Sequence, residues 1–173
     1  MRLVQCSLSE HGSAILEILN AAIVSSTALY DYRPREPQSM VGWFEAKRAG
    51  RFPVWGAVDE TDRLQGFATY GSFRAWPAYK YAVEHSVYVA HGQRGRGVGT
   101  ALMRRLIQSA VEQELHTVVG GIDASNTDSV AFHEKLGFAH AGTIKQAGFK
   151  FERWLDLAFY QLILPTPSQP RDG

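Results

Sequence analysis

The chain has 173 residues and a nearly even charge balance, with 18 Lys and Arg against 17 Asp and Glu. This length fits one domain with one hydrophobic core, and a net charge of +1 gives no bulk attraction to nucleic acid or a membrane surface. A single cysteine, Cys6, excludes an internal disulfide, and the six scattered histidines lack zinc-ligand spacing. The spacing of these residues predicts a metal-free protein. No signal peptide or bilayer-spanning apolar run is found, so we expect it to be cytoplasmic.

The first part of the chain predicts a strand, two helices and a hairpin. Residues 2–7 form the strand, and Ser9 is the predicted N-cap of a helix whose apolar face holds Ala14, Ile15, Ile18, Leu19, Ala22 and Ile23. A loop rich in proline and arginine leads to a second helix at about 38–49, which Gly50 ends. Residues 53–59 and 64–70 are predicted strands joined by a turn, and 71–77 are irregular.

The second part predicts a strand at 81–90, a long helix from Val98 and a buried strand at 117–123. A short helix at 126–136, closed by Gly137, and strands at 138–146 and 151–164 follow. This order is that of an α+β protein with a mixed, mostly antiparallel sheet flanked by helices. We expect a single domain over 1–164 and a loose, proline-rich tail over 165–173.

A glycine-rich turn separates the strand at 81–90 from the long helix. The turn and the start of the helix consist of Arg94, Gly95, Arg96, Gly97, Val98, Gly99 and Thr100. Glycine lets backbone N–H groups approach a ligand closely, and a helix start adds N–H donors and a partial positive charge. The turn therefore predicts a site for a phosphate or pyrophosphate, although an ordinary connection between strand and helix can have the same composition.

Two common phosphate motifs do not fit this turn. A dinucleotide fingerprint needs glycine where Thr100 stands, and a P-loop needs a Gly-Lys-Ser/Thr ending that is absent. What remains, Arg94-Gly95-Arg96-Gly97-Val98-Gly99 after Val87-Tyr88-Val89, resembles the coenzyme A loop of the GCN5-related N-acetyltransferases. The resemblance implies the acyl-CoA N-acyltransferase fold of that family. It also implies acetyl-CoA as co-substrate, bound by residues 87–89 and 94–100.

A second stretch supports the same family. The run from Asn126 and Ser129 to Lys135-Leu136-Gly137-Phe138 resembles the family's Asn-x-x-Ser helix and its Lys-Leu-Gly-Phe ending. In that family the asparagine side chain binds the pantetheine arm, so the resemblance assigns Asn126 and Ser129 to the cofactor. Considered alone, Asn126 is as readily a helix cap with no ligand.

The resemblance can be narrowed to one branch of the family. Gly71-Ser72-Phe73-Arg74, Glu84-His85-Ser86 and Phe132-His133-Glu134 are similar to the phosphinothricin acetyltransferases, and the similarity covers nearly all of the chain except the tail. The run 73–81 is most similar to enzymes that acetylate L-methionine sulfoximine and sulfone. This branch implies a small amino-acid-like amine as acceptor and a homodimer, with no nucleic acid or membrane partner.

Acetyl transfer needs a neutral amine, hydrogen-bond donors for the thioester oxygen and a proton for the leaving thiolate. The resemblance places Glu84 at the catalytic glutamate, acting through water because an ordinary carboxyl has a low pKa; the alternative is a solvated strand glutamate. Backbone N–H groups at 87–89 are candidates for the oxyanion. His133 stands where many relatives have tyrosine and could protonate the thiolate or position the amine. Tyr88 is another donor, although strand tyrosines usually belong to the core.

An amino-acid acceptor needs a cation for its carboxylate, and the guanidinium of Arg74 suits this because it forms two bonds at once. A solvated loop arginine is the alternative. Phe73, Ala75 and Tyr32 complete the predicted acceptor site. Rival functions are an acetyltransferase for a polyamine, aminoglycoside or protein N-terminus, a non-catalytic acyl-CoA sensor and, more distantly, a dinucleotide-binding protein.

Overall fold

A computed structural model describes residues 1–172 of the protein. Over this range the elements are β1 (Arg2–Gln5), α1 (Leu8–Ser25), α2 (Ser39–Ala49), β2 (Val54–Val58), β3 (Leu64–Ser72), β4 (Ala82–Val89), α3 (Val98–Glu112), β5 (Thr117–Asp123), α4 (Thr127–Lys135), β6 (Ala139–Lys150) and β7 (Arg153–Ile163). A 3-10 turn lies at Pro77–Tyr79. The sheet order is β1-β2-β3-β4-β5-β7-β6. Only β4 and β5 form a parallel pair among the registered ladders of this range. The predicted α+β class with a mixed, mostly antiparallel sheet is confirmed.

The chain divides into two compact units. The first consists of Met1–Gly71 and His85–Ser109, and the second of Ser72–Glu84 and the chain from Ala110 onward. In the first unit, α1 and α2 pack on β2 and β3 through a cluster of Ile15, Ile18, Leu19, Met40, Val54, Val58, Leu64 and Phe67. Fully burying one such side chain is worth roughly 1.5–3 kcal/mol, so this cluster supplies much of the unit's stability.

In the second unit, β5 pairs with β4 on one side and with β7 on the other. Its core contains Val118, Ile122, Phe138, Leu155 and Tyr160. The tail from Pro165 lies outside any helix or strand but bonds to this unit at two points. The Thr166 hydroxyl donates to the Leu115 carbonyl at 2.5 Å, and the Arg171 N–H donates to the Tyr81 hydroxyl at 3.2 Å.

The structure corrects two predicted boundaries. The N-cap of α1 is Ser7, not Ser9, because the Ser7 hydroxyl accepts from the Glu10 N–H at 3.3 Å and donates to the Glu10 carboxylate at 3.1 Å. These two bonds hold the Ser-x-x-Glu start of a helix. The last hairpin is also longer than expected, because β6 continues through Gly148 by a bulge and turns at Phe151 and Glu152, with φ angles of 50° and 58°. That is the left-handed pair of a two-residue hairpin.

Candidate active site

The glycine-rich turn lies in the first unit, directly before α3. Gly95 and Gly97 have φ angles of 76° and 80°, a region that other residues rarely adopt. A Cβ at either position would meet nothing within 4 Å, so backbone conformation and not crowding requires glycine there. The first bond of α3 runs from the Ala101 N–H to the Gly97 carbonyl at 3.0 Å. The N–H groups at 98–100 precede that bond, so they are the donors that a helix start offers to an anion.

The side chains around this turn divide into two kinds. Arg94 and Arg96 are exposed and add positive charge on both sides of Gly95. Val98 is buried, so its backbone and not its side chain is offered to a ligand. The turn therefore combines backbone donors, a helix start and two cations, a donor set that suits the phosphates of coenzyme A.

Strand β4 carries the predicted contacts at Val87, Tyr88 and Val89. The ladder between β4 and β5 covers Ala82–Glu84 against Thr117–Val119, whereas β4 itself continues to Val89. Backbone N–H groups at 87–89 therefore lie beyond that ladder, while the other edge of β4 neighbours β3; their role at the oxyanion stays a prediction. The Tyr88 ring packs 5.4 Å from the Phe67 ring in the first unit, so its aromatic part serves the core.

Glu84 lies in the second unit, over a glycine of the neighbouring strand. A Cβ built at Gly121 would come within 3.0 Å of Glu84 Oε1, so the missing side chain leaves room for the carboxylate. Burial raises the pKa of Glu84 above its ordinary value, and the positive charge of Arg74 opposes this shift. A carboxyl with a raised pKa is a stronger base when ionised, which is what proton abstraction needs.

Arg74 is exposed, with its guanidinium carbon 4.3 Å from the centre of the Phe73 ring. Its Nη1 donates to the Phe73 carbonyl at 3.0 Å. The Phe73 ring in turn packs edge-on against Phe159, at 6.2 Å. The second unit thus holds Phe73, Arg74 and, by its electrostatic interaction, Glu84 as one group. Ala75 follows as an exposed residue, whereas Tyr32 belongs to the first unit and is 73% exposed.

At the start of α4, the Asn126 side chain caps the helix. The Asn126 Oδ1 accepts from the Ser129 N–H at 3.1 Å, which makes Asn126 the N-cap. The same side chain carries two N–H donors on Nδ2 that this bond does not use, and these are the groups that suit a pantetheine carbonyl. Ser129 acts through its backbone here, on Asn126 at one end and on His133 at the other.

His133 is buried, with 3% of its surface exposed, and its Nδ1 lies 2.6 Å from the Ser129 carbonyl oxygen. A carbonyl only accepts, so Nδ1 carries the proton and Nε2 of the neutral ring is the acceptor. Burial lowers the pKa of His133, although the bond to Ser129 opposes this, so the neutral form is favoured. A neutral ring is a poor proton source for the thiolate, and the role of His133 in positioning the amine stays a prediction.

The first unit contains a cavity of about 80 Å³ that the sequence did not predict, here called the Lys47 cavity. Its apolar walls are Leu19, Leu29, Trp43 and Phe67, and its polar lining is Arg35, Lys47, Thr69, Ser86 and Tyr88. The sequence of α2 does contain a sign of this cavity. One helical face carries Met40, Trp43, Phe44 and Lys47, which places a lysine on an apolar stripe.

A larger cavity of about 360 Å³ lies in the second unit, lined by Asp123, Ala124, Ser125, Gln146, Arg153, Trp154 and Asp156. None of the predicted site residues belongs to it. Arg153 Nη2 and the buried Asp123 carboxylate form an ion pair at 2.8 Å across its wall. Breaking such a pair is costly, so these two groups serve the structure of the hairpin and of the end of β5.

No group of three or more His, Cys, Asp or Glu side chains within residues 1–172 is arranged to hold a metal ion. No helix in the same range has both the length and the apolar character that crossing a membrane requires.

Comparison with known proteins gives consistent matches. The family model described as Acetyltransferase (GNAT) family matches residues 15–138. A Pseudomonas paraeruginosa protein named L-methionine sulfoximine/L-methionine sulfone acetyltransferase is 41% identical over 157 residues, which are 90% of this chain and 91% of that protein. A solved structure from Acinetobacter baylyi ADP1 is 59% identical with a TM-score of 0.98, over 99% of this chain and 96% of that one. A phosphinothricin acetyltransferase from Sinorhizobium meliloti, solved in complex with acetyl-CoA, is 29% identical with a TM-score of 0.92, over 98% and 91%.

Proposed function

We propose that this chain, which belongs to the acetyltransferase (GNAT) family, acetylates the α-amine of a small amino acid whose side chain ends in a tetrahedral sulfur or phosphorus group. It is an acetyl-CoA-dependent N-acetyltransferase. The observation that carries the acceptor class is the exposed Arg74 guanidinium, held over the Phe73 ring in the same unit as Glu84 and lowering the pKa of that carboxyl. It is a cation suited to an α-carboxylate in the unit that holds the predicted base. The names of the relatives support the same class.

In the proposed reaction, the acceptor amine attacks the thioester carbon of acetyl-CoA directly, in a ternary complex. The new C–N bond forms as the C–S bond breaks. Glu84 removes the amine proton through a water molecule, backbone N–H groups at 87–89 stabilise the oxyanion, and neutral His133 orients the amine through Nε2. The leaving thiolate takes a proton, for which Tyr88 is the remaining candidate donor. In well-oriented reactions, binding both reactants together can lower the barrier by roughly 7–11 kcal/mol.

We assign coenzyme A to residues of the glycine-rich turn and of the Asn-x-x-Ser start of α4. The N–H groups at 98–100 and the Gly95–Gly97 turn bind its phosphates, with Arg94 and Arg96 adding charge. The Nδ2 group of Asn126 donates to the pantetheine arm, and Ser129 supports it through the cap bond, in which its N–H donates to Asn126. Phe73 and Ala75 complete the acceptor site around Arg74 in the second unit, and Tyr32 of the first unit stays a predicted acceptor contact.

Replacing Arg74 by Ala should raise the KM for the amino-acid acceptor about 10- to 100-fold, the usual worth of hydrogen bonds to a charged group. The KM for acetyl-CoA should change less than about twofold. Because the charge of Arg74 lowers the pKa of Glu84, its loss should also move the acidic limb of the rate profile to higher pH. Steady-state kinetics on Arg74→Ala and on Arg104→Ala, an exposed arginine of α3, test this. Equal effects on both KM values would count against a carboxylate clamp.

The function itself is tested by product analysis. With acetyl-CoA and L-methionine sulfone, mass spectrometry should find one acetyl group on the α-amine for each coenzyme A released. An acetylated spermidine, aminoglycoside or protein N-terminus, with the sulfone unchanged, would move the proposal to another amine. Binding of acetyl-CoA without turnover of any amine would favour the acyl-CoA sensor.

The homodimer and the cytoplasmic location also belong to this proposal. Ile144, Phe149, Phe151 and Trp154 are about half exposed along the β6–β7 hairpin, and such an apolar surface is typical of a contact between subunits. Sedimentation velocity measures the oligomeric state directly. The single free cysteine can form no internal disulfide, which fits a reducing compartment. Burial raises the pKa of the Cys6 thiol to about 12 and keeps it unreactive.

A further inference from the structure

Lys47 is a cation enclosed by apolar and aromatic side chains. Its Nζ donates to the Tyr70 carbonyl at 2.8 Å and lies 5.4 Å from the Trp43 ring and 5.8 Å from the Phe52 ring. Burial lowers the pKa of Lys47 to about 8, and burial is the sole cause of the shift. The ion pairs found within residues 1–172 do not include Lys47. A largely buried ammonium without a carboxylate beside it is costly, which points to a ligand that supplies strong hydrogen-bond acceptor oxygens.

The Lys47 cavity has the shape and lining for such a ligand. Roughly 10–15 Å³ of accessible volume holds one water, so about 80 Å³ admits a group of several non-hydrogen atoms. Thr69 and Ser86 add hydroxyls to the polar lining, while Arg35 is already paired with Asp31 at 2.9 Å. The ammonium of Lys47 is therefore the charge in this cavity that no side-chain carboxylate balances.

The cavity is also lined by β4, the strand that carries the predicted acetyl-CoA contacts. Ser86 and Tyr88 of β4 line it, and these residues alternate with Val87 and Val89 along the strand. Residues two apart on a strand point to the same face, so Ser86 and Tyr88 present one face to the cavity. A group bound in the Lys47 cavity therefore lies beside the backbone at 87–89.

We infer that the Lys47 cavity binds the side-chain end of the acceptor, a tetrahedral oxo group of a sulfone, sulfoximine or phosphinate, with Lys47 donating to its oxygens. This inference rests on the proposed function, in which the acceptor is a small amino acid with such a side chain. The apolar walls formed by Trp43 and Phe67 accommodate the methylene chain. A plain thioether offers the ammonium only a weak acceptor, so Lys47 sets the preference for oxidised side chains.

The test compares Lys47→Met with Arg48→Met, which removes one charge from the next, exposed residue of the same helix. Lys47→Met should lower kcat/KM for L-methionine sulfone and phosphinothricin about 10- to 100-fold, while L-methionine changes less than about threefold. Arg48→Met should leave all three values near the wild type. Lys47→Arg, which keeps charged donors, should restore part of the preference. Equal losses for all three acceptors, or no loss in Lys47→Met, would overturn the inference.

Binding separates this inference from the proposed function. Isothermal titration of L-methionine sulfone into the protein with coenzyme A present should give heat in the wild type and in Arg48→Met, but not in Lys47→Met. If the wild type turns over none of the three acceptors, the proposed function is wrong. The same titration still shows whether the Lys47 cavity binds the sulfone. Sulfone binding that survives in Lys47→Met overturns the role of Lys47. Thermal melting should place both variants within a few degrees of the wild type, since methionine suits the aromatic surroundings.

Discussion

Glu84→Gln should lower kcat about 10²- to 10⁴-fold with little change in the KM for acetyl-CoA, because the amide keeps the shape of the carboxyl but cannot take a proton. The wild-type rate should rise with pH as Glu84 ionises. Burial raises the pKa of Glu84, so this limb should lie above the range of an ordinary glutamate, about 4.3. Below that pKa the carboxyl is protonated and inactive as a base. Above it Glu84 is ionised, and the rate for the neutral form of the amine approaches a plateau.

The measurement is kcat/KM against pH for the wild type and Glu84→Gln; the variant should lose the limb that belongs to Glu84 and keep only the rise that comes from ionisation of the amine. Glu45→Gln, on the exposed side of α2, serves as the matched control and should keep the wild-type profile. Calorimetry with acetyl-CoA should show unchanged binding in all three proteins. A variant whose limb coincides with that of the wild type would remove Glu84 as the base.

The second large effect is expected from Gly97→Val. Gly97 has a φ of 80°, and a β-branched residue there costs of the order of 1–3 kcal/mol, so the turn should leave its left-handed conformation. The start of α3 would then no longer present its N–H donors at 98–100. We expect acetyl-CoA affinity to fall at least about 100-fold, since several backbone bonds to phosphate are lost together.

Gly92→Val is the matched control for this change. Gly92 has a φ of 77°, and a Cβ there would meet nothing within 4 Å, as at Gly97, but Gly92 precedes the Gly95–Thr100 segment. Both variants should lose a similar few degrees of melting temperature, and only Gly97→Val should lose acetyl-CoA binding in a calorimetric titration. Wild-type affinity in Gly97→Val would contradict the assignment of this turn to coenzyme A.

The two motifs could be recognised from sequence because their chemistry is local. The glycines of the turn and the Asn-x-x-Ser start of α4 carry their signal within a few residues, and the family match confirms the resemblance drawn from them. The strand at Thr117–Asp123 and the glycine that closes α4 were also predictable, since Gly137 has a φ of 89°.

Other features depend on atoms that a sequence pattern does not bring together. The tautomer of His133 follows from one carbonyl four residues earlier, and the base strength of Glu84 follows from its burial beside Gly121 of another strand. The Lys47 cavity needs α1, α2, β3 and β4 to meet, although a lysine on the apolar stripe of α2 is a sign that the sequence contains. The last hairpin was predicted, but its turn was placed too early because the left-handed turn is made by Phe151 and Glu152, without glycine or asparagine.

The central claim is that the chain acetylates small amino acids with tetrahedral side-chain groups, and one measurement tests it most directly. It is thiol release from acetyl-CoA with a panel of methionine sulfoximine, methionine sulfone, phosphinothricin, plain methionine, spermidine and an aminoglycoside. We predict the highest kcat/KM for the first three acceptors, a low value for methionine and none above background for the last two. Preferred turnover of spermidine or the aminoglycoside, or no release with any acceptor despite tight binding of acetyl-CoA, would contradict the account.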